Sequence, residues 1–368
     1  MKTNILLVEP NFPIPAKSKN HCNFLPIGLL KIAAYHRERG DKVELHRGNF
    51  RAKTYPKEIK ITSLFTYWSA HVWDSVNFYR TLYPKARIQV GGIYASLMPE
   101  HAKQSGCDDI QVGLYRNGIA EKYEPAYDMI DVDYQIIHAS RGCFRKCNFC
   151  GTWKIEPEVT YKSSIKNEIK KKRLVFYDNN LIANPHIKTI LSEIAEYKLP
   201  DKSKVHCESQ SGLDGRLLIK DPEIAIFLKN AHFLHPRIAW DGPYRLWPKI
   251  KEQIQVLKNA GYSTDDIFIF MLFNHDFSYE EMRLKLEACR RWRVRVIDCR
   301  FRPLDSIADG YKPQAKNQSN EEYYIHKGWT DKQVRTFRRA VRRQNIAILL
   351  HLPNGRYIDG VEREYIPT

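Results

Sequence analysis

The 368-residue sequence predicts an α/β protein in which a doubly wound parallel sheet is followed by a partial (β/α)6 barrel and a short basic helical extension. Two observations predict it. Short apolar runs alternate with longer amphipathic runs along most of the chain, the pattern of parallel strands joined by crossover helices. The alternation pauses at residues 125–133 and resumes with six further strand-like runs, so two units are expected. At 43% hydrophobic residues the chain can build proper cores for both.

The first unit covers residues 1–130. Asn4-Ile5-Leu6-Leu7-Val8 is its first strand, and the loop after it holds Pro13, Pro15 and Pro26. Residues 27–39 form a helix with Arg37 and Arg39 in its last turn and Gly40 as its stop. Strands follow at 42–45 and 59–65, a helix at 71–83, a strand at 87–90 that runs into Gly91-Gly92, and a fifth strand at 109–112.

The second unit covers residues 131–305. Its strands fall at 134–140, 174–177, 204–207, 237–240, 267–273 and 294–299, with helices between them at 164–172, 186–197, 222–231, 248–260 and 279–292. The extension, 306–368, contains a helix at 329–344 with Val334, Phe337 and Val341 on one face. Another face holds Arg335, Arg338, Arg339 and Arg342, a spacing that could grip phosphates, although a charge row is more often a solvated face.

Lysine and arginine outnumber aspartate and glutamate 59 to 42, a net charge of +17 that would attract a polyanion and keeps nucleic acid among the candidate substrates. The N-terminus shows no signal-peptide core and no run approaches a membrane span, so a cytoplasmic protein without a membrane partner is expected. In that compartment the eight cysteines are thiols or ligands rather than disulfides. Cys22, Cys107, Cys207, Cys289 and Cys299 are scattered singly and suit small buried hydrophobes.

Cys143, Cys147 and Cys150 are different, because they pack into the loop Arg141-Gly142-Cys143-Phe144-Arg145-Lys146-Cys147-Asn148-Phe149-Cys150 directly after the first strand of the second unit. Soft sulfur donors select an iron–sulfur cluster, zinc or cuprous copper. A closed zinc site would want a second CxxC or HxxxH pair nearby, and none follows. The loop also stands at a strand C-terminal end, where barrel enzymes hold their chemistry.

Cys-x-x-x-Cys-x-aromatic-Cys resembles the signature of the radical S-adenosylmethionine (radical SAM) superfamily, whose core is a six-stranded partial TIM-type barrel. The resemblance implies that the three cysteines hold a 4Fe–4S cluster, with the fourth iron free to chelate S-adenosylmethionine, and that Phe149 faces the adenine. It implies cleavage to a 5′-deoxyadenosyl radical that modifies a substrate the sequence does not assign, and an electron donor such as flavodoxin or ferredoxin. Phe176-Tyr177-Asp178-Asn179-Asn180 occupies the place of the stretch that binds the methionine amino group, implying that role for Asp178, Asn179 and Asn180; the same residues suit an ordinary turn. Glu208, Gln210 and Asp241 compete for the ribose hydroxyls, against plain polar residues of the barrel rim. Trp153, His206, Trp240, Tyr244 and Arg302 lie near strand ends without an assigned role.

Leu25-Pro26-Ile27-Gly28-Leu29-Leu30 and the turn from Gly91 to Glu100 resemble the cobalamin-binding-like Rossmann domain that precedes the radical core in one class of the superfamily. Adjacent glycines after a strand let a ligand come close to the backbone. The DxHxxG motif that supplies a cobalt ligand is absent, and His46-Arg47-Gly48 does not replace it. A vestigial domain without cobalamin is therefore expected, a cobalamin-dependent radical methylase being one alternative. A nucleic-acid-binding protein with a structural metal cluster is another.

Overall fold

The computed structural model describes residues 2–14 and 25–352. Pro15, Cys22 and residues 353–368 of the extension lie outside the described residues. In the first half, β1 (Asn4–Glu9), α1 (Ile27–Glu38), β2 (Lys42–Arg47), β3 (Glu58–Ser63), α2 (Ser69–Leu82), β4 (Arg87–Gly92), α3 (Ile93–Leu97), α4 (Pro99–Lys103) and β5 (Asp109–Gln111) follow one another. The strands form one parallel sheet in the order β2-β1-β3-β4-β5.

The unbroken run Ile5-Leu6-Leu7-Val8 is explained by burial on both faces of that sheet. Ile5 and Leu7 pack against Leu29 and Ala33 of α1. Leu6 and Val8 join Ile59, Ile61, Ile88 and Val90 against Val72, Val76 and Tyr79 of α2. The chain leaves β1 towards β2 on one side and places β3 on the other, so the crevice between β1 and β3 is a topological switch point.

The second half runs β6 (Tyr134–Ile137), β7 (Ser140–Arg141), α5 (Thr152–Ile155), β8 (Thr160–Tyr161), β9 (Arg173–Phe176), α6 (Ile187–Glu196), β10 (His206–Ser209), α7 (Gly215–Lys220), α8 (Glu223–Asn230), β11 (Arg237–Ala239), α9 (Trp247–Asn259), β12 (Phe268–Phe273), α10 (Tyr279–Trp292), β13 (Arg295–Arg300) and α11 (Asp331–Leu349). Two parallel three-stranded sheets, β10-β9-β6 and β11-β12-β13, are linked by parallel bridges between Cys207 and Phe233 and between Leu213 and Ile238. The six strands thus run side by side in chain order.

Two expected elements are corrected. The strand at 134–140 stops at Ile137, because the amides of Ala139 and Ser140 turn away from the ladder to donate to the Asp178 carboxylate (3.0 and 2.5 Å). The helix at 164–172 is a single short turn at Lys166–Glu168. There the buried side chain of Gln135 donates to Glu168 O (2.5 Å) and accepts from Lys170 N (2.9 Å), taking backbone groups a helix would need.

Tyr323, Ile325, Trp329, Val334, Phe337 and Val341 share one core with the strands of the second half. α11 lies along β13, and Asn345 bonds both main-chain groups of Val296 (2.9 and 2.7 Å), closing the edge of that sheet. The two halves meet at strand C-terminal ends: Arg302, after β13, stacks on Tyr67, after β3, at 4.8 Å, and Ser69 Oγ donates to Ile307 O (3.1 Å). No helix among the described residues is long and apolar enough to cross a membrane.

Candidate functional site

The cysteine loop leaves β7 at Gly142, whose φ of +73° and close approach to the hairpin partner demand glycine. A Cβ there would sit 2.2 Å from Glu158 O. Glu156 anchors the turn, accepting from Gly142 N (3.0 Å) and Arg141 (2.5 Å). Cys143, Cys147 and Cys150 are free, half-buried thiols. Arg145 N donates to Cys143 Sγ (3.4 Å), and Cys150 Sγ donates to Thr152 Oγ1 (3.3 Å). Burial raises the pKa of Cys147, and the charges of Asp241, Cys150 and Cys143 raise it further against the pull of Arg216. Among the described residues no three His, Cys, Asp or Glu side chains already converge at metal-holding distance.

Asp214, the N-cap of α7, ties this loop to the end of β10. It accepts from Arg145 (2.8 Å), from within the cysteine run, and from Arg216 (2.7 Å). Arg145 also stacks on Phe144 at 4.6 Å. Neither Asp214 nor Arg216 was singled out from the sequence; the signal available was the Asp-Gly-Arg run that caps a short helix.

Asp178 is fully buried, and its carboxylate accepts from the amides of Ala139 and Ser140 and from Ser140 Oγ (2.6 Å). Burial lifts its pKa to about 6 despite those donors. Asn179 Oδ1 accepts from Thr152 Oγ1 (3.1 Å), linking the end of β9 to Cys150 through one hydroxyl. Asn180 is buried, and its Oδ1 has no partner among the described residues. Phe149 meets His275, just past β12, edge to face at 6.0 Å.

The candidates for the ribose separate. Glu208 pairs with Arg173 (2.7 Å) and Arg237 (3.4 Å), the first residues of β9 and β11, and so faces the opposite end of the strands from the cysteine loop. Gln210 is half-buried, and its main-chain N–H donates to Phe176 O (3.0 Å). Asp241 retains solvent access although protein surrounds it on most sides, and desolvation raises its pKa against the pull of Lys285 and Arg216. Of the three, Asp241 is the one grouped with Cys147.

Trp240 is core, stacked between Tyr244 (6.2 Å) and Trp292 (5.9 Å). Behind it Lys285 is fully buried, its Nζ 4.1 Å from the Phe277 ring centre and without a hydrogen-bond partner among the described residues; burial lowers its pKa to about 8. Its place on the buried stripe Met282, Lys285, Leu286, Cys289 was the sequence signal. Gly92 departs from its expected role, because a Cβ there would lie 2.2 Å from Ser63 O at φ +101°: packing on β3 accounts for this glycine without a ligand.

No family model matches this chain. No curated protein matches it either. Among solved structures, Rhizobium etli pyruvate carboxylase aligns at 14% identity and a TM-score of 0.22, over 94% of this chain and 29% of its own, a likeness too faint to bear on fold or function. The chain spans under a third of that enzyme's length.

Proposed function

We propose that this chain is a cytoplasmic radical SAM enzyme, with the five-stranded sheet as a Rossmann-like unit and the six consecutive strands as a partial TIM-type barrel. The observation that supports it most is the CxxxCx-aromatic-C loop on the C-terminal side of the first barrel strand, with Cys147 in the fields of Cys143, Cys150 and Asp241. The donor set fits a 4Fe–4S cluster: three soft thiols on one loop, none in a disulfide, with an amide donating to Cys143 Sγ as expected of a thiolate ligand. Cys143, Cys147 and Cys150 would hold it. When bound, the cluster supplies the electron that breaks a carbon–sulfur bond of S-adenosylmethionine and yields a 5′-deoxyadenosyl radical.

The chain's own residues orient and enclose. Asp214 and Arg145 fix the loop against β10. Asp178 fixes the backbone leading into it, Asn179 holds Thr152 beside Cys150, and Asp241 is left as the accessible acceptor for cofactor hydroxyls. Substrate and product are unassigned, and an electron donor such as flavodoxin or ferredoxin is required by this chemistry.

The test is anaerobic reconstitution with iron and sulfide. One 4Fe–4S chromophore and slow reductive release of 5′-deoxyadenosine are expected, both abolished by alanine at Cys143, Cys147 or Cys150 and kept when Cys107 or Cys289 is replaced. Stoichiometric zinc uptake, with no iron–sulfur absorption under any reconstitution, would refute the reading and favour a structural metal site.

A further inference from the structure

We propose that the aromatic step after β3 is the substrate subsite, and that it takes a planar conjugated ring bearing an anionic group; this rests on the reading above, since it names the substrate class of the same site. Phe65 and Tyr67 stack on each other with ring centres 5.0 Å apart and planes 7° apart. Trp68 stands edge-on to both (5.1 and 5.7 Å) and stacks on Phe12, after β1, at 5.3 Å. These rings therefore rim the switch-point crevice between β1 and β3, where open parallel sheets bind ligands. The core does not use the outer face of the step: Phe65 is 44% exposed and neighbouring Ile93, after β4, is 42% exposed.

The charge of the occupant is set by what caps the step. Arg302 lies over Tyr67 at 4.8 Å. It shares one carboxylate oxygen, Asp309 Oδ2, with Arg300, at 2.5 Å from each. Two guanidiniums on one carboxylate leave one positive charge uncompensated, and Arg302 Nη2 makes no hydrogen bond among the described residues. Two residues on, Leu304 lies beside Gly151, the residue after Cys150, as does Leu97 of α3. A ring packed at this aromatic step with its acid at Arg302 would thus sit between the first sheet and the thiol loop. Arginine and stacked rings recognise this combination of flat π face and anion, and a saturated acid of equal charge satisfies only half of it.

Equilibrium dialysis of the full-length, metal-free protein against indole-3-acetate tests the proposal, with 3-methylindole and cyclohexaneacetate as probes lacking the charge and the π face. Indole-3-acetate is expected to bind about tenfold tighter than 3-methylindole. Phe65→Leu, which keeps apolar area at an exposed position, should weaken it roughly fivefold. Arg302→Gln should erase the preference for the acid while Arg300 keeps Asp309 in place. Equal binding of cyclohexaneacetate, no detectable binding of indole-3-acetate, or a Phe65→Leu protein that binds as wild type would overturn it. Stoichiometric displacement of the probe by hydroxocobalamin would overturn it in favour of a corrinoid. The readout needs neither cluster nor S-adenosylmethionine, so a failed reconstitution and a failed subsite are separate results.

Discussion

Asp178 shows how one residue can prepare a site it does not touch. Its carboxylate receives two main-chain amides and a hydroxyl at the point where β6 ends, directing the chain into the hairpin that launches the cysteine loop. The sequence offered it both as a cofactor ligand and as a turn residue; its total burial and those partners define a structural task, and nothing in Asp-Asn-Asn distinguishes the two until Ala139 is brought alongside. The folded-state pKa lies above the ordinary 3.8, at about 6. The folded chain therefore holds this proton more tightly than the unfolded one. That contribution is fully present below pH 3.8 and is lost as pH rises through about 6. Relative to Asp178→Asn, wild-type stability should fall by on the order of 2–3 kcal/mol across that window, read as urea midpoints at pH 4 and pH 6.5. A pH-independent difference between the two proteins would contradict it.

At the scale of elements, α11 changes meaning between sequence and structure. Its limits were legible, since Thr330 and Gln333 form a capping box and Val334, Phe337 and Val341 mark the buried face. The arginine row divides. Arg335 is buried and bonds Asp331 (2.8 Å), Gln318 (2.7 Å) and the carbonyls of Lys312 (2.8 Å) and Pro313 (3.2 Å). Arg338 pairs with Asp298 of β13 (3.0 Å). Arg339 and Arg342 remain exposed. Four arginines do not act together on a polyanion when one of them ties the helix to the 312–318 loop and another ties it to β13. Arg335→Ala should therefore cost about 3 kcal/mol in chemical denaturation, because it strips a buried network of its cation. Arg342→Ala should change stability by less than about 0.5 kcal/mol. The short turn at Lys166–Glu168 teaches the opposite lesson: nine residues with helical spacing lost their helix to one buried glutamine on a neighbouring strand.

The molecule as a whole brings the C-terminal end of the five-stranded sheet against the segment that follows β13 and against the thiol loop, with the aromatic step on the sheet's side. In the first sheet His46 is buried and engaged by Glu44 (2.6 Å) and Tyr79 (3.1 Å), and Gly92 is explained by contact with Ser63. Neither is free to serve a corrinoid. Titration with hydroxocobalamin is thus expected to leave the cobalt absorption spectrum unchanged at equimolar protein, and tight binding with a shifted spectrum would move the function to the cobalamin-dependent methylase. What the sequence determined by itself were the alternation of strands and helices that builds parallel sheets, and the cysteine loop, because hydrophobic period and ligand spacing are local properties of a chain. Tertiary structure decided which polar residues are free to act. Glu208 was drawn to Arg173 and Arg237, Asp178 into the core, Arg335 into the packing of α11, and Asp241 was left accessible with its charge felt at Cys147. The reason is that a polar side chain's role depends on which partners reach it first, and those partners lie on neighbouring strands and helices, up to about a hundred residues away in sequence.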